Sequence, residues 1–158
     1  MRVLPLGFVL LAAGCCGYST RSLLPSHLKT VAVTPATNTT TQPGLAEALT
    51  DELTTAFNSD RTLRVTNAEA ADLVVTAVVS SYARNASSYT GDQAVSAYEV
   101  SVSAQIEARD QTRDEEFYSG TASARVTYDP NAKTEEQAAA DALKKLASEI
   151  VRQVQIAW

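Results

Sequence analysis

The chain has 158 residues, 45% of them hydrophobic but only 6% aromatic, and a net charge of −5. That length allows one domain, with a core built mostly from Val, Leu, Ile and Ala. The acidic balance argues against a nucleic-acid partner, which needs a basic face to neutralise phosphates, and against purely electrostatic attachment to an anionic membrane.

The N-terminus has the layout of a secretory signal. Arg2 supplies a positive charge, and Val3 to Ala13 is an apolar run too short to span a bilayer as a helix. It ends in Leu11-Ala12-Ala13-Gly14-Cys15, which resembles the bacterial lipobox, where small residues precede a cysteine that is acylated and becomes the new N-terminus. The expected division is a lipoprotein signal peptide over 1–14, a lipidated N-terminus and tether over 15–28, and one domain over 29–158. Cys15 is the expected lipid attachment site and Cys16 the alternative. The two cysteines are adjacent and the body has none, so there is no disulfide framework and no CxxC metal site.

Lys29 to Thr34 is short and β-branched, which predicts a strand ended by Pro35. Ala36 to Gln42 reads as a Thr-rich loop. Leu45, Ala48, Leu49, Glu52, Leu53 and Ala56 then recur at helical spacing, opened by Pro43-Gly44 and closed around Asn58 to Asp60. Thr62 to Thr66 is a second short strand. Asp72 to Tyr82 is a longer strand, apolar on both faces at its start, with loop signals around Asn85 and Gly91-Asp92.

The next strand alternates cleanly. Tyr98, Val100, Val102, Ala104 and Ile106 point one way, while Glu99, Ser101, Ser103, Gln105 and Glu107 point the other. After a charged turn over Asp110 to Glu115, Phe117 to Tyr128 alternates again. Tyr118, Gly120, Ala122, Ala124, Val126 and Tyr128 lie opposite Ser119, Thr121, Ser123, Arg125 and Thr127, and the small residues of the first set would let a helix pack close. The last element is a long helix opened by a capping box, Thr134 to Gln137. Its apolar stripe is Ala139, Ala142, Leu143, Leu146, Ile150, Val154 and Ala157.

Together these predict an α+β fold. It is a two-layer α/β sandwich with a mixed, mostly antiparallel sheet of four to five strands and two helices on one face. The face bearing Val100, Val102 and Ile106 should lie under both helices, with Leu49, Leu53, Leu146 and Ile150 as core contacts.

Catalytic patterns are missing. The one histidine, His27, has no second His or Cys nearby and reads as structural or solvated. Asp114-Glu115-Glu116 suits a hairpin turn, and Asp51-Glu52 and Glu135-Glu136 suit solvated helix surfaces, the latter pair also near a helix N-terminus. No GxSxG or phosphate-loop pattern occurs. The expectation is a non-enzyme without cofactor or metal.

The ordered set Cys16-Gly17-Tyr18-Ser19, Leu24-Pro25-Ser26-His27, Lys29 to Val33, Asn38-Thr39-Thr40, Pro43-Gly44-Leu45, Leu49-Thr50, Leu53 and Phe57 resembles the lipopolysaccharide-assembly lipoprotein family (LptE). The resemblance continues through Leu63-Arg64-Val65, Ala71 to Val74, the alternating strand from Tyr98 and the final helix. In that family the lipid-bearing cysteine commonly precedes Gly and an aromatic residue, the place Cys16 holds here.

The resemblance implies two helices on one face of a four-stranded sheet. It implies a position at the periplasmic face of the outer membrane, lipid-anchored. It also implies a non-catalytic role plugging, and assisting assembly of, the β-barrel that exports lipopolysaccharide. Its expected partners are that barrel, lipopolysaccharide, and the membrane through the N-terminal acyl chains. Lys133 matches the loop position where the family's basic residue is proposed to contact lipopolysaccharide. Arg84, where the long strand gives way to a loop, is the second candidate cation. The alternative function is a lipoprotein adaptor subunit of another envelope complex.

The anchor is directly testable. One acyl chain holds a protein only marginally, so firm attachment calls for a multiply acylated cysteine. Mass spectrometry of the mature protein should find acylated Cys15 as its first residue; an unmodified N-terminus downstream of Cys16 would rule the anchor out.

Overall fold

The computed structural model describes residues 24–91 and 94–157. The segment expected to be a signal peptide, Cys15, Cys16, Asp92 and Trp158 lie outside the described residues. In chain order the elements are β1 (Thr30–Val33), β2 (Thr37–Asn38), α1 (Leu45–Asp60), β3 (Arg64–Val65), β4 (Leu73–Tyr89), β5 (Val95–Asp110), β6 (Glu115–Tyr128) and α2 (Glu135–Ile156).

They form one six-stranded sheet in the order β3-β1-β4-β5-β6, with β2 also paired to β4. β1 lies parallel to both β3 and β4, whereas β4, β5 and β6 form an antiparallel meander. The expected α+β fold is therefore present, with one strand more than expected. β2 falls in the stretch read as a Thr-rich loop. Thr37 pairs with Val78 and Asn38 with Val79, so β2 resumes alongside β4 the line that β1 follows. Pro35 interrupts that line because it has no N–H to donate, while Thr34 and Thr39 on either side donate their N–H groups to Val75 and Val79. β2 lacks an apolar alternation because its ladder partner, rather than its own burial, holds it.

The second departure is larger. β4 continues through Asn85 to Tyr89 instead of ending near Tyr82. Asn85 pairs with Glu99 and Ala86 with Tyr98 on β5, which satisfies the backbone that the polar side chains seemed to free. A register shift between Val79 and Ser81 marks a β-bulge at Ser80. Below it Leu73, Val75, Ala77 and Val79 face the helices; above it Tyr82, Arg84 and Ala86 take that face, opposite Val102, Val100 and Tyr98. One inserted residue thus exchanges the faces of the upper half of β4.

The core lies between the sheet and the two helices. Leu49, Leu53, Val100, Val102, Ile106, Leu146 and Ile150 are all buried together, as expected. The stripe of α2 is otherwise as read, but Ala157 is the C-cap and is exposed. Gly120, Ala122 and Ala124 let α2 approach β6 closely. At Gly120 the missing side chain makes room for the Tyr118 ring, whose hydroxyl would lie 2.2 Å from a Cβ there. The Tyr118 hydroxyl donates to Gln153 Oε1 (2.7 Å), and Gln153 Nε2 donates to Glu149 (2.8 Å). Hydrogen bonds from Arg152 and Gln153 hold the Glu149 carboxyl down to about 2.

Among the described residues, the opposite face of the sheet carries no helix. Gln105, Glu107, Ser119, Thr121, Ser123, Arg125 and Thr127 are exposed on it, with Val74 and Val78 half-buried.

Leu146 is fully buried beneath α2. Leu146→Ala should cost about 2–5 kcal/mol in chemical denaturation, the range for a buried leucine that leaves a cavity; a loss under about 0.5 kcal/mol would place Leu146 outside the core.

Candidate functional site

The N-terminus of α2 meets the upper halves of β4, β5 and β6 at one end of the molecule. The capping box forms there as read. Thr134 Oγ1 accepts from Gln137 N–H, and the Gln137 side chain accepts from Thr134 N–H. Asp129 opens the preceding turn, accepting from Asn131 N–H (2.8 Å) through its carboxylate and from Lys133 N–H (3.0 Å) through its carbonyl.

The structure brings both candidate cations to this end and gives each an acidic partner. Lys133 Nζ pairs with the Asp141 carboxylate two turns along α2, and that hydrogen bond holds the Asp141 carboxyl below its usual range. Arg84 lies with its guanidinium carbon 3.7 Å from the centre of the Tyr98 ring. Its Nε donates to the Tyr128 hydroxyl (2.8 Å) and stands 3.3 Å from a Glu135 oxygen. Glu135 also accepts from the Tyr82 hydroxyl (2.9 Å). Burial, reinforced by that hydrogen bond, pushes the Tyr82 hydroxyl above the ordinary phenol value.

Tyr98 and Tyr128 stack at 5.9 Å between ring centres and stand opposite each other in the register. Three tyrosines and Glu135 therefore frame Arg84, a constellation that sequence reasoning missed. The tyrosines are legible as residues, but their meeting depends on the Ser80 bulge and on the β5–β6 register, which no local pattern reveals. Beyond the Tyr98–Tyr128 pair, β6 has ended, so the β4–β5 ribbon continues as a two-stranded arm towards exposed Tyr89.

The other end of the sheet receives the N-terminal arm. His27 Nε2 donates to Asp110 Oδ2 (2.5 Å), and Asp110 Oδ1 accepts from the N–H groups of Thr112 and Arg113. Asp72 Oδ2 accepts from Lys29 N–H, Thr30 N–H and the Thr30 hydroxyl, while Asp72 N–H donates back to that hydroxyl. His27 is thus a structural residue that ties the arm to the β5–β6 turn.

A shallow hollow of about 290 Å³ lies on the open sheet face, lined by Thr76, Val78, Gln105, Glu107, Ser119 and Thr121 among others. Among the described residues, no group of three His, Cys, Asp or Glu side chains is placed to hold a metal ion, and no helix is long and apolar enough to cross a membrane. The arrangement offers hydrogen-bonding surface and paired charges.

The profile of the lipopolysaccharide-assembly family (LptE) matches residues 28–155. A search of the curated proteins finds no match. Among solved structures, uncharacterized lipoprotein B from Nitrosomonas europaea aligns at 19% identity over 95% of this chain and 91% of its own, with a TM-score of 0.58. PelC from Paraburkholderia phytofirmans, solved as a dodecamer, aligns at 17% identity over 86% and 96%, with a TM-score of 0.58. A hypothetical protein from Chlamydia trachomatis aligns at 14% identity over 81% and 96%, with a TM-score of 0.60. At these identities the likeness is one of fold.

The arm junction makes stability pH-dependent. Burial raises the Asp110 carboxyl, but the hydrogen bonds from His27, Arg113 and Thr112 outweigh it and leave it lowered. Asp72 is lowered chiefly by the Lys29 N–H and the Thr30 hydroxyl. Both groups bind protons more weakly in the folded than in the unfolded chain, so the stability they contribute is fully present above their ordinary value of 3.8. It is lost as pH falls from there through the folded values. Unfolding free energy measured from about pH 5 to about pH 2 should fall more steeply in the wild type than in Asp110→Asn; equal slopes would remove Asp110 from the account.

Proposed function

The chain belongs to the lipopolysaccharide-assembly family (LptE), and we propose that it is the outer-membrane lipoprotein that plugs the lipopolysaccharide-exporting β-barrel and assists its assembly. In this role it is held by acyl chains on Cys15, faces the periplasm and catalyses no reaction. The observation that carries the reading, beside the family, is the sheet face that no described helix covers. Its exposed side chains are Ser, Thr, Gln, Glu and Arg. The wall of a barrel lumen is polar, because barrel strands alternate apolar outward and polar inward. A surface of short hydrogen-bonding groups complements such a wall, whereas a large apolar patch would not.

Lys133 and Arg84 are the proposed lipopolysaccharide contacts. Each is already matched with an acid, Asp141 and Glu135, on the first turns of α2. A lipid phosphate that reaches them exchanges with a carboxylate, and the helix N-terminus beside them favours the incoming negative charge. The contact is therefore local, consistent with a chain that is acidic overall.

The experiment is depletion in the native host. The amount of correctly assembled exporting barrel should fall, surface lipopolysaccharide should fall with it, and the outer membrane should become permeable to large hydrophobic antibiotics. If all three stay at wild-type levels, the reading fails. The chain is then better read as an adaptor subunit of another envelope complex, since one fold can serve several functions.

A further inference from the structure

Arg84 is held from two sides. Its guanidinium carbon lies over the Tyr98 ring, 3.7 Å from the ring centre. Its Nε donates to the Tyr128 hydroxyl at 2.8 Å. Ring contact and hydrogen bond together fix the direction of the group's far edge. An arginine carries five N–H donors, and the one on Nε is spent on Tyr128. Among the described residues, nothing accepts from the two terminal Nη groups. The Tyr128 oxygen accepts from Nε, which leaves its own proton to donate. The Arg84 side chain is 37% exposed, so a solute can reach it.

We propose that Arg84 and the Tyr128 hydroxyl form a seat for a phosphomonoester group, with Glu135 as a built-in competitor that keeps the hold weak. The count of oxygens selects the ligand. The Nη pair matches two oxygens of an oxyanion. A carboxylate has no more than two, and the Nη pair uses them up. A phosphomonoester has three terminal oxygens, and the third takes the Tyr128 proton.

Glu135 sets the strength. Its Oε2 stands 3.3 Å from Arg84 Nε, while its Oε1 accepts from the Tyr82 hydroxyl at 2.9 Å. The carboxylate is thus tied beside the seat, where it shares the arginine's charge and repels an incoming dianion. α2 begins at Glu135, and the helix N-terminus offsets part of that repulsion. A seat built this way binds and releases readily, as a chain that passes a phosphorylated lipid along requires. That lipid source rests on the reading above; the seat rests on the geometry at Arg84 and takes a free phosphate by the same contacts.

The test uses the full acylated protein in a nonionic detergent. Affinity is read by calorimetry and the Arg84 Nε–H signal by NMR. The probes are inorganic phosphate and dihexanoyl phosphatidic acid, with dihexanoyl phosphatidylcholine, whose phosphate is a diester, as the control. Both probes should shift the Arg84 signal and the control should not. Arg84→Gln should weaken binding about tenfold or more, the loss of a charge-assisted bidentate contact. Arg84→Lys, which keeps the charge without the fork, should recover only part of it. Glu135→Gln, which keeps an acceptor for Tyr82, should tighten binding about threefold or more, a gain that a damaged fold would not give. Tighter binding of phosphatidic acid than of phosphate identifies a lipid headgroup as the ligand; equal binding identifies the free anion. An unmoved Arg84 signal, unchanged affinity in Arg84→Gln or in Glu135→Gln, or full recovery by Arg84→Lys would overturn the proposal. Its failure is distinct from failure of the plug reading, because depletion reports on the barrel and this titration on one side chain.

Discussion

α2 comes down onto β5 and β6 along a row in which successive β6 side chains are Gly120, Ala122 and Ala124, opposite Ile106, Ala104 and Val102 on β5. Side chains this small bring the helix close to the strands. Leu143, Leu146, Ile150 and Val154 then reach the sheet, and α1 adds Leu49, Leu53 and Phe57 beside them. With two helices on one side, no other described helix is left to cover the other. The division between a dry face and a wet one is set by this contact, and the polar side chains of the open face follow from it.

The Ser80 bulge is the next condition. β4 is long enough to serve two ends of the molecule, and an uninterrupted alternation would have aimed the same residues at the helices throughout. The extra residue turns Tyr82 and Arg84 inward just where β6 ends and α2 begins. Glu135, placed by the capping box in the first turn of α2, then meets both. A helix start, a strand end and a bulge converge on one arginine. Removing the bulge would change which side chains surround it rather than simply loosening it.

Much of this was legible in the sequence. The stripe of α2 and the alternation from Tyr98 identify the core face because burial on one side writes itself as a period. β2 and the upper half of β4 were not legible, since their pairing comes from partners far along the chain and their own side chains are polar. The loop signal at Asn85 is genuine as a local preference, and the β5 ladder overrides it. Ala157 fits the helical period but lies past the point where the helix stops. The acidic partners of Lys133 and Arg84 were equally out of reach. Asp141 lies on a later turn of the helix, and Glu135 is visible as a helix-start acid but its meeting with Arg84 depends on the bulge.

The place of β1 in the sheet has a consequence for how the chain folds. β1 lies between β3 and β4 and is parallel to both, and the clasp at its start joins Thr30 to Asp72, 42 residues later in sequence. A nascent chain emerges from its N-terminus, so β1 is made first and has no neighbour until β3 and β4 have followed. The β4–β5–β6 meander needs only hairpin closures, which are short-range and fast. The early-made strand is thus a late arrival in the fold. Until it docks, its apolar residues Val31, Ala32 and Val33 stand open to any factor that holds unfolded chains.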